Sequence, residues 1–313
     1  MSQNSNFNQP KGRPNKPSAN NKGGSKTSGK AIASLVLGFL SIIGMCLTGI
    51  PGLILGILGL GDVNGSNGRV GGKGIAIFGI VLSSLGIVWT IIALLIAILL
   101  PAVQAARTAA RGQMSINNMR QQSLGMLNYE STHMHFPLQD NNGLSWRVHI
   151  LPWLEQEALY RRFHLDEPWD SPHNIQLLTE MPEVYDCPNV SLEPGFTVYQ
   201  VPYTDVSMNP APADLALFDT SGKAVGFGAI ADGSTNTAAL LEVNESAAVK
   251  WTKPADWRYD PSNPTRDLGN VNPVYILFMA ADGSNQRVRA DIDPEEFKAF
   301  ITRSAGDAVP KVR

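Results

Sequence analysis

The sequence predicts an α+β protein: an N-terminal transmembrane helical hairpin, then a long helix packed on an antiparallel β-sheet. Three observations carry this expectation. Ala31–Leu60 and Gly74–Leu100 hold no charged residue over 30 and 27 positions. A run of strong helix formers follows the second stretch. The C-terminal half then breaks into short β-like runs separated by Gly, Asn, Asp and Pro.

A helix crosses hydrocarbon with roughly 20 apolar residues, so both charge-free stretches qualify as spans. Pro51 interrupts the first and would kink it or mark a re-entrant break. Small residues recur (Gly56, Gly59, Gly79, Ser83, Ser84, Gly86) and let helices approach closely. Gly61–Lys73 is Gly- and Asn-rich and reads as the turn between spans. Residues 1–30 carry six basic side chains and no acid, with almost nothing apolar to bury, and are expected to be a disordered tail. The expected divisions are therefore 1–30, a two-span segment 31–101, and a soluble domain 102–313. Counting each stretch as one crossing, the positive-inside rule puts both outer flanks in the cytoplasm.

Ala102–Arg111 consists of strong helix formers. Val103, Ala106, Ala110 and Met114 recur at helical spacing, so the second span is expected to continue as one helix to about Tyr129, kinked at Pro101. Leu144–Phe163 reads as helical. Strands are expected at Phe196–Val201, Ala224–Ile230, Ala238–Val243, Ala247–Trp251, Val274–Met279 and Gln286–Ala290. Pro294–Thr302 reads as a closing helix capped by Asp293. Helix first and strands later is the α+β pattern.

The formal net charge is −2, but residues up to Arg111 carry +9, so the remainder carries about −11. An acidic domain excludes nucleic acid as partner, since phosphate binding needs a basic face. A basic tail beside apolar helices points to membrane lipid instead. Cys46 and Cys187 lie in different segments, so no disulfide is expected between them.

Several ordered strings resemble a bacterial family of uncharacterised pilin-like membrane proteins, related to type IV pilins and type II secretion pseudopilins. They include Leu99–Arg107, Leu144–Val148 with Trp146 and Arg147, and Leu151–Gln156. Phe163–Asn174, with Trp169 and Asp170, is the most specific; Asp232-Gly233 and Asp282-Gly283 follow. The N-terminal hairpin is similar to a two-span domain of unknown function often fused ahead of that family. The resemblance implies a pilin-like long helix and an extracytoplasmic globular domain, against the cytoplasmic side given by charge counting; the side stays open. The chain departs from the family in three places. No basic-Gly-Phe cleavage site occurs, and Ser84 stands where a pilin helix has Glu. Asn272 replaces the His of a terminal His-x9-Asp-Gly signature. Ser115 stands where relatives often have a Cys.

Candidate chemistry is sparse. Asp166, Glu167, Asp170 and His173, with His164, are oxygen and imidazole donors close enough in sequence to suggest a metal, although Pro168 and Pro172 make a capped turn the simpler reading. Asp232 and Asp282 could be two carboxylates of a hydrolase, but each precedes Gly and reads first as a tight turn. Cys187 lacks a nucleophile motif around it. His133 and His135 read as a surface loop. Trp146, Trp153, Tyr160, Phe163, Trp169, Trp251 and Trp257 either form the core or line a ligand surface. The function expected is a non-enzymatic, membrane-anchored pilin-like structural or interaction protein of the bacterial cell envelope. It would sit in the inner membrane as a multi-pass protein and use no cofactor. Envelope proteins or further copies of the chain would be its partners. The alternative is a membrane-tethered module binding glycan, peptide or calcium.

Overall fold

A computed structural model describes residues 26–44, 46–66, 70–137, 143–211, 214–269, 271–272 and 274–306. The expected disordered tail lies, up to Ser25, outside the described residues. The chain divides into two compact units, Met1–Val103 and Gln104–Arg313.

In the first unit the apolar stretch 31–60 is not one span. It forms two helices, α1 (Gly29–Gly44) and α2 (Cys46–Gly65), packed against each other. Pro51 lies inside α2 and does not end it. A two-residue strand, β1 (Lys26–Thr27), precedes α1, and β2 (Val70–Gly71) follows α2. The two pair in parallel, Lys26 with Val70 and Thr27 with Gly71.

Next comes α3 (Lys73–His133), 61 residues. Among the described residues it alone is long and apolar enough to cross a membrane. Pro101 lies inside it and does not end it. The helix is apolar all round before Pro101: Ile91, Leu94, Leu95, Ile96, Ile98, Leu99 and Leu100 are all exposed. Water would not tolerate such a surface at this density, whereas lipid would.

The second unit uses the remainder of α3 as its spine. The expected packing face of Val103, Ala106, Ala110 and Met114 is exposed. The buried stripe starts immediately after it, at Ser115, Ile116, Met119, Gln122, Ser123 and Met126. Periodicity alone could not separate these stripes, because Ser115 and Gln122 on the buried one are polar groups that donate to distant partners, Glu242 and the Val184 carbonyl.

Leu144–Phe163 folds as three short turns: α4 (Trp146–His149), a 3-10 turn at Leu151–Leu154, and α5 (Glu157–Tyr160). Pro152 and the left-handed Glu155 (φ 60°) prevent a single helix. The strands follow: β3 (Phe196–Thr197), β4 (Tyr199–Gln200), β5 (Pro202–Thr204), β6 (Phe218–Asp219), β7 (Ala238–Glu242), β8 (Val249–Lys250), β9 (Trp257–Arg258), β10 (Tyr275–Ala280) and β11 (Asn285–Arg289). The main sheet runs β11-β10-β7-β4 and is antiparallel throughout. Every residue of β7 is buried, as expected of a strand covered on both faces. β3 and β8 pair antiparallel, while β5 pairs in parallel with both β6 and β9. The strand expected at Ala224–Ile230 is instead a 3-10 turn, Phe227–Ala229. A Cβ at Gly226 would come 2.7 Å from the Met134 carbonyl oxygen, so the glycine serves backbone approach, not a pleated row. The closing helix α6 (Pro294–Ile301) has Asp293 as its N-cap, accepting from the Glu295 N–H at 2.9 Å.

Candidate functional site

Of the residues singled out by sequence, Trp146, Arg147, Ser115 and Cys187 fall in two buried polar clamps of the second unit. Ser145 caps α4, accepting from the Arg147 N–H, and this sets the Arg147 side chain pointing inward. Its guanidinium donates from Nη2 to Asp256 Oδ1 at 2.6 Å and to the Tyr199 carbonyl at 2.7 Å, and from Nη1 to Ser145 Oγ at 2.8 Å. Trp146 Nε1 and the Val201 N–H both donate to Asp256 Oδ1 at 3.1 Å. Arg147 and Asp256 side chains are 0% exposed. A buried ion pair survives only when its remaining donors and acceptors are satisfied, and here Ser145, Trp146, Tyr199 and Val201 satisfy them. From sequence, Asp256 reads only as part of a loop beside Lys253-Pro254. Its signal was slight: an acid flanked by Trp257 in a Pro-containing loop.

A second clamp centres on Glu242 at the end of β7. Its Oε1 accepts from Ser115 Oγ at 2.6 Å, Cys187 Sγ at 3.0 Å and Asn189 Nδ2 at 3.3 Å. Tyr199 OH donates to Ser115 Oγ at 2.9 Å. Burial first, then the Glu242 carboxylate, pushes the Cys187 thiol up to about 12. Cys187 is a free, buried cysteine, so it is held as the thiol and not as a nucleophilic thiolate.

The His164–His173 run is a loop organised by buried Asn174. Its Oδ1 accepts from the His164 N–H at 3.0 Å, and its Nδ2 donates to the carbonyls of His164, Glu167 and Pro168 at 2.9–3.1 Å. The His164 and His173 rings stack with centroids 3.6 Å apart. His164 Nδ1 lies 3.0 Å from Glu167 Oε1, and His173 Nε2 donates to the Arg162 carbonyl at 2.7 Å. Hydrogen bonds from Ser171 and then His164 hold the Glu167 carboxyl below the usual range. Asp166 and Asp170 are exposed. Among the described residues no three His, Cys, Asp or Glu side chains group as metal ligands. Trp169 is half-buried with Lys250 and Lys253 over its ring at 5.1 and 5.9 Å.

The two Asp-Gly pairs are neighbouring turns. Gly233 and Gly283 have φ of 96° and 84°, which glycine alone adopts without strain. The Asp282 N–H donates to the Ser234 carbonyl at 3.1 Å. Asp232 accepts from the Ala305 and Gly306 N–H groups at 2.7 and 2.8 Å, and Asp282 from the Ser284 N–H at 2.9 Å. Each carboxylate ties down backbone. Of the aromatics, Trp146, Phe163, Trp251 and Trp257 are buried, leaving Trp153, Tyr160 and Trp169 half-buried. His133 ends α3, its ring stacked on Tyr129 at 4.0 Å and edge-on to Trp153 at 5.7 Å.

Residues 104–303 match a family of proteins of unknown function, DUF1559. The chain belongs to this family. The DUF1559 match covers the α3 spine, both clamps and both Asp-Gly turns, ending just after α6. Residues 30–93 match a second domain of unknown function, DUF4190, which takes in α1, α2 and the first part of α3. These matches fit a pilin-related protein with an N-terminal domain of unknown function. No curated protein matches the chain, and no solved structure does.

Proposed function

We propose that the chain is a membrane-anchored, pilin-like structural or interaction protein of the bacterial cell envelope, without a catalytic centre of its own. One observation carries the reading: α3 is exposed and apolar before Pro101, then supplies from Ser115 onward a buried stripe to the α+β domain. One helix thus serves as anchor and as spine. The signature residues support a non-enzymatic role, because Arg147, Asp232 and Asp282 are spent on clamping backbone and on a buried ion pair. Membrane lipid is the first partner, and an envelope protein or another copy of the chain the second.

The test is fractionation of the full-length chain. It should stay in the membrane pellet through high salt and alkaline carbonate and need detergent for release. A chain that stays monodisperse without detergent and washes off with mild salt would overturn the proposal.

The alternative, a tethered ligand-binding module, draws on one feature. A cavity of about 330 Å³ is lined by Thr204, Asp205, Asp214, Arg258, Tyr259 and Arg266, among others. That volume suits a small polar ligand. Saturable calorimetric binding of an envelope glycan or peptide, lost in Arg258→Ala, would favour it over the structural role.

A further inference from the structure

The geometry points to a definite membrane topology: α1 and α2 enter the bilayer as a hairpin from the cytoplasmic face, and α3 carries the DUF1559 domain out to the opposite, extracytoplasmic face. This rests on the membrane reading above and goes beyond it by fixing the side.

The first support is a polar knot that gathers three helix ends. The start of α1, the end of α2 and the start of α3 meet at the β1–β2 pairing. The Ser28 N–H donates to the Gly71 carbonyl at 3.1 Å. Lys30 Nζ, at the start of α1, lies 2.9 Å from Asp62 Oδ2, near the end of α2, and both side chains are half-exposed. A parallel β1–β2 pair has both strands leading into helices in the same direction, so α1 and α3 set out from one level and α2 returns to it.

Length gives the second support. The uncharged part of α1 is Ala31–Gly44 and that of α2 is Cys46–Gly61, roughly 21 and 24 Å at 1.5 Å per residue. Hydrocarbon is about 30 Å thick. The hairpin can turn back inside the bilayer or thin it enough to cross twice. Both options bring the chain back to the knot, so they contribute an even number of crossings. Gly74–Leu100 of α3 is roughly 40 Å of uncharged helix and adds one. The total is odd, and the chain leaves the bilayer on the side away from the knot. Counting 31–60 as one crossing gave the opposite parity; the return of α2 to the start of α1, Lys30 against Asp62, is what changes it.

Charge then sets the direction. The knot side holds eight basic residues, six in 1–30 plus Arg69 and Lys73, against the single acid Asp62. The far side offers Arg107, Arg111 and Arg120. The richer flank stays in the cytoplasm.

Close packing holds the hairpin on α3. Ser34 Oγ donates to the Gly52 carbonyl at 3.1 Å. A Cβ at Gly79 would come 2.4 Å from Ser34 Oγ and 3.0 Å from the Ser34 carbonyl carbon. A Cβ at Gly56 would meet the Ile80 side chain at 2.6 Å. Backbones this close pack by dispersion where lipid offers no hydrophobic drive.

The experiment is cysteine accessibility in intact cells, using the full-length chain with Cys46→Ser. Two single additions are compared: Asn64→Cys, exposed near the end of α2, and Ser262→Cys, exposed in the DUF1559 domain. The probe is a charged, membrane-impermeant maleimide. Ser262→Cys should label in spheroplasts as fully as after lysis, and Asn64→Cys only once the membrane is opened. Both positions labelling from one side would mean an even number of crossings and overturn the topology. Asn64→Cys outside with Ser262→Cys inside would overturn its direction. Carbonate extraction of the same samples separates these failures from failure of the anchor itself, since an extracted chain was never inserted.

Discussion

Ser115 and Cys187 donate to the same oxygen of Glu242, at 2.6 and 3.0 Å, so helix α3 and the loop after Tyr185 are joined through one carboxylate of β7. Both side chains reach that one oxygen, so a thiol at position 115 would lie beside Cys187. We expect Ser115→Cys to form a disulfide with Cys187 when the domain is made in an oxidising compartment. The check is intact mass with and without reductant; two free thiols in the exported, folded variant would contradict it.

The same burial makes Cys187 chemically quiet. With its thiol pushed up to about 12, only about one molecule in 10⁴ carries thiolate at pH 8. Iodoacetamide should alkylate native Cys187 at least about a thousandfold more slowly than the unfolded chain. Native and unfolded samples reacting alike in a mass-spectrometric time course would show the thiol to be accessible.

Alkaline pH should destabilise the second unit. A thiol whose folded value lies above its unfolded one binds its proton more tightly when folded. Its contribution is therefore complete below about pH 9 and lost as pH rises toward 12. Burial raises Tyr199 and Tyr185 as well, which steepens the loss above about pH 10. Thermal melts between pH 8 and 11 should fall progressively, and Cys187→Ala should shallow the first part of that fall. A flat profile would show that these groups titrate alike in both states.

Arg147 and Asp256 form the domain's fully buried ion pair. Removing one partner leaves a buried charge unmatched, which costs about 3–5 kcal/mol. Arg147→Met and Asp256→Asn should each lower denaturant stability by that order, and the double variant by less than their sum. Strict additivity would mean that the two charges do not interact.

The elements legible in sequence were those with local causes. Asp293-Pro294 starts α6 through its own cap, and Asp282-Gly283 turns between β10 and β11 through its own φ. The long helix was legible because its apolar run has no competing reading. What escaped depended on distant partners. The buried stripe of α3 begins at Ser115, a residue that patterning counts as polar and that Glu242, 127 positions away, and Tyr199 make a core residue. Leu144–Phe163 has helical spacing, yet Pro152 and the left-handed Glu155 divide it. Arg147 and Asp256 lie 109 positions apart, and neither announces the other. The two helices of 31–60 escaped for another reason: no polar residue marks where α1 ends at Gly44 and α2 begins at Cys46, and the one local signal, Pro51, lies inside α2.

The hairpin packing yields a prediction with its own control. Gly74 and Gly79 both lie early in α3, but a Cβ at Gly74 meets nothing within 4 Å, whereas one at Gly79 meets the Ser34 hydroxyl at 2.4 Å and two backbone atoms at 3.0 and 3.1 Å. The hydroxyl can rotate away; the backbone of α1 cannot. Gly74→Ala should therefore hold or raise stability, by up to about 1 kcal/mol from helix propensity. Gly79→Ala should force α1 outward and lower the melting temperature of the detergent-solubilised chain, with the Ser34–Gly52 hydrogen bond strained. Gly79→Leu should lower it further. Equal effects of alanine at the two positions would show that α1 does not lie against this face of α3.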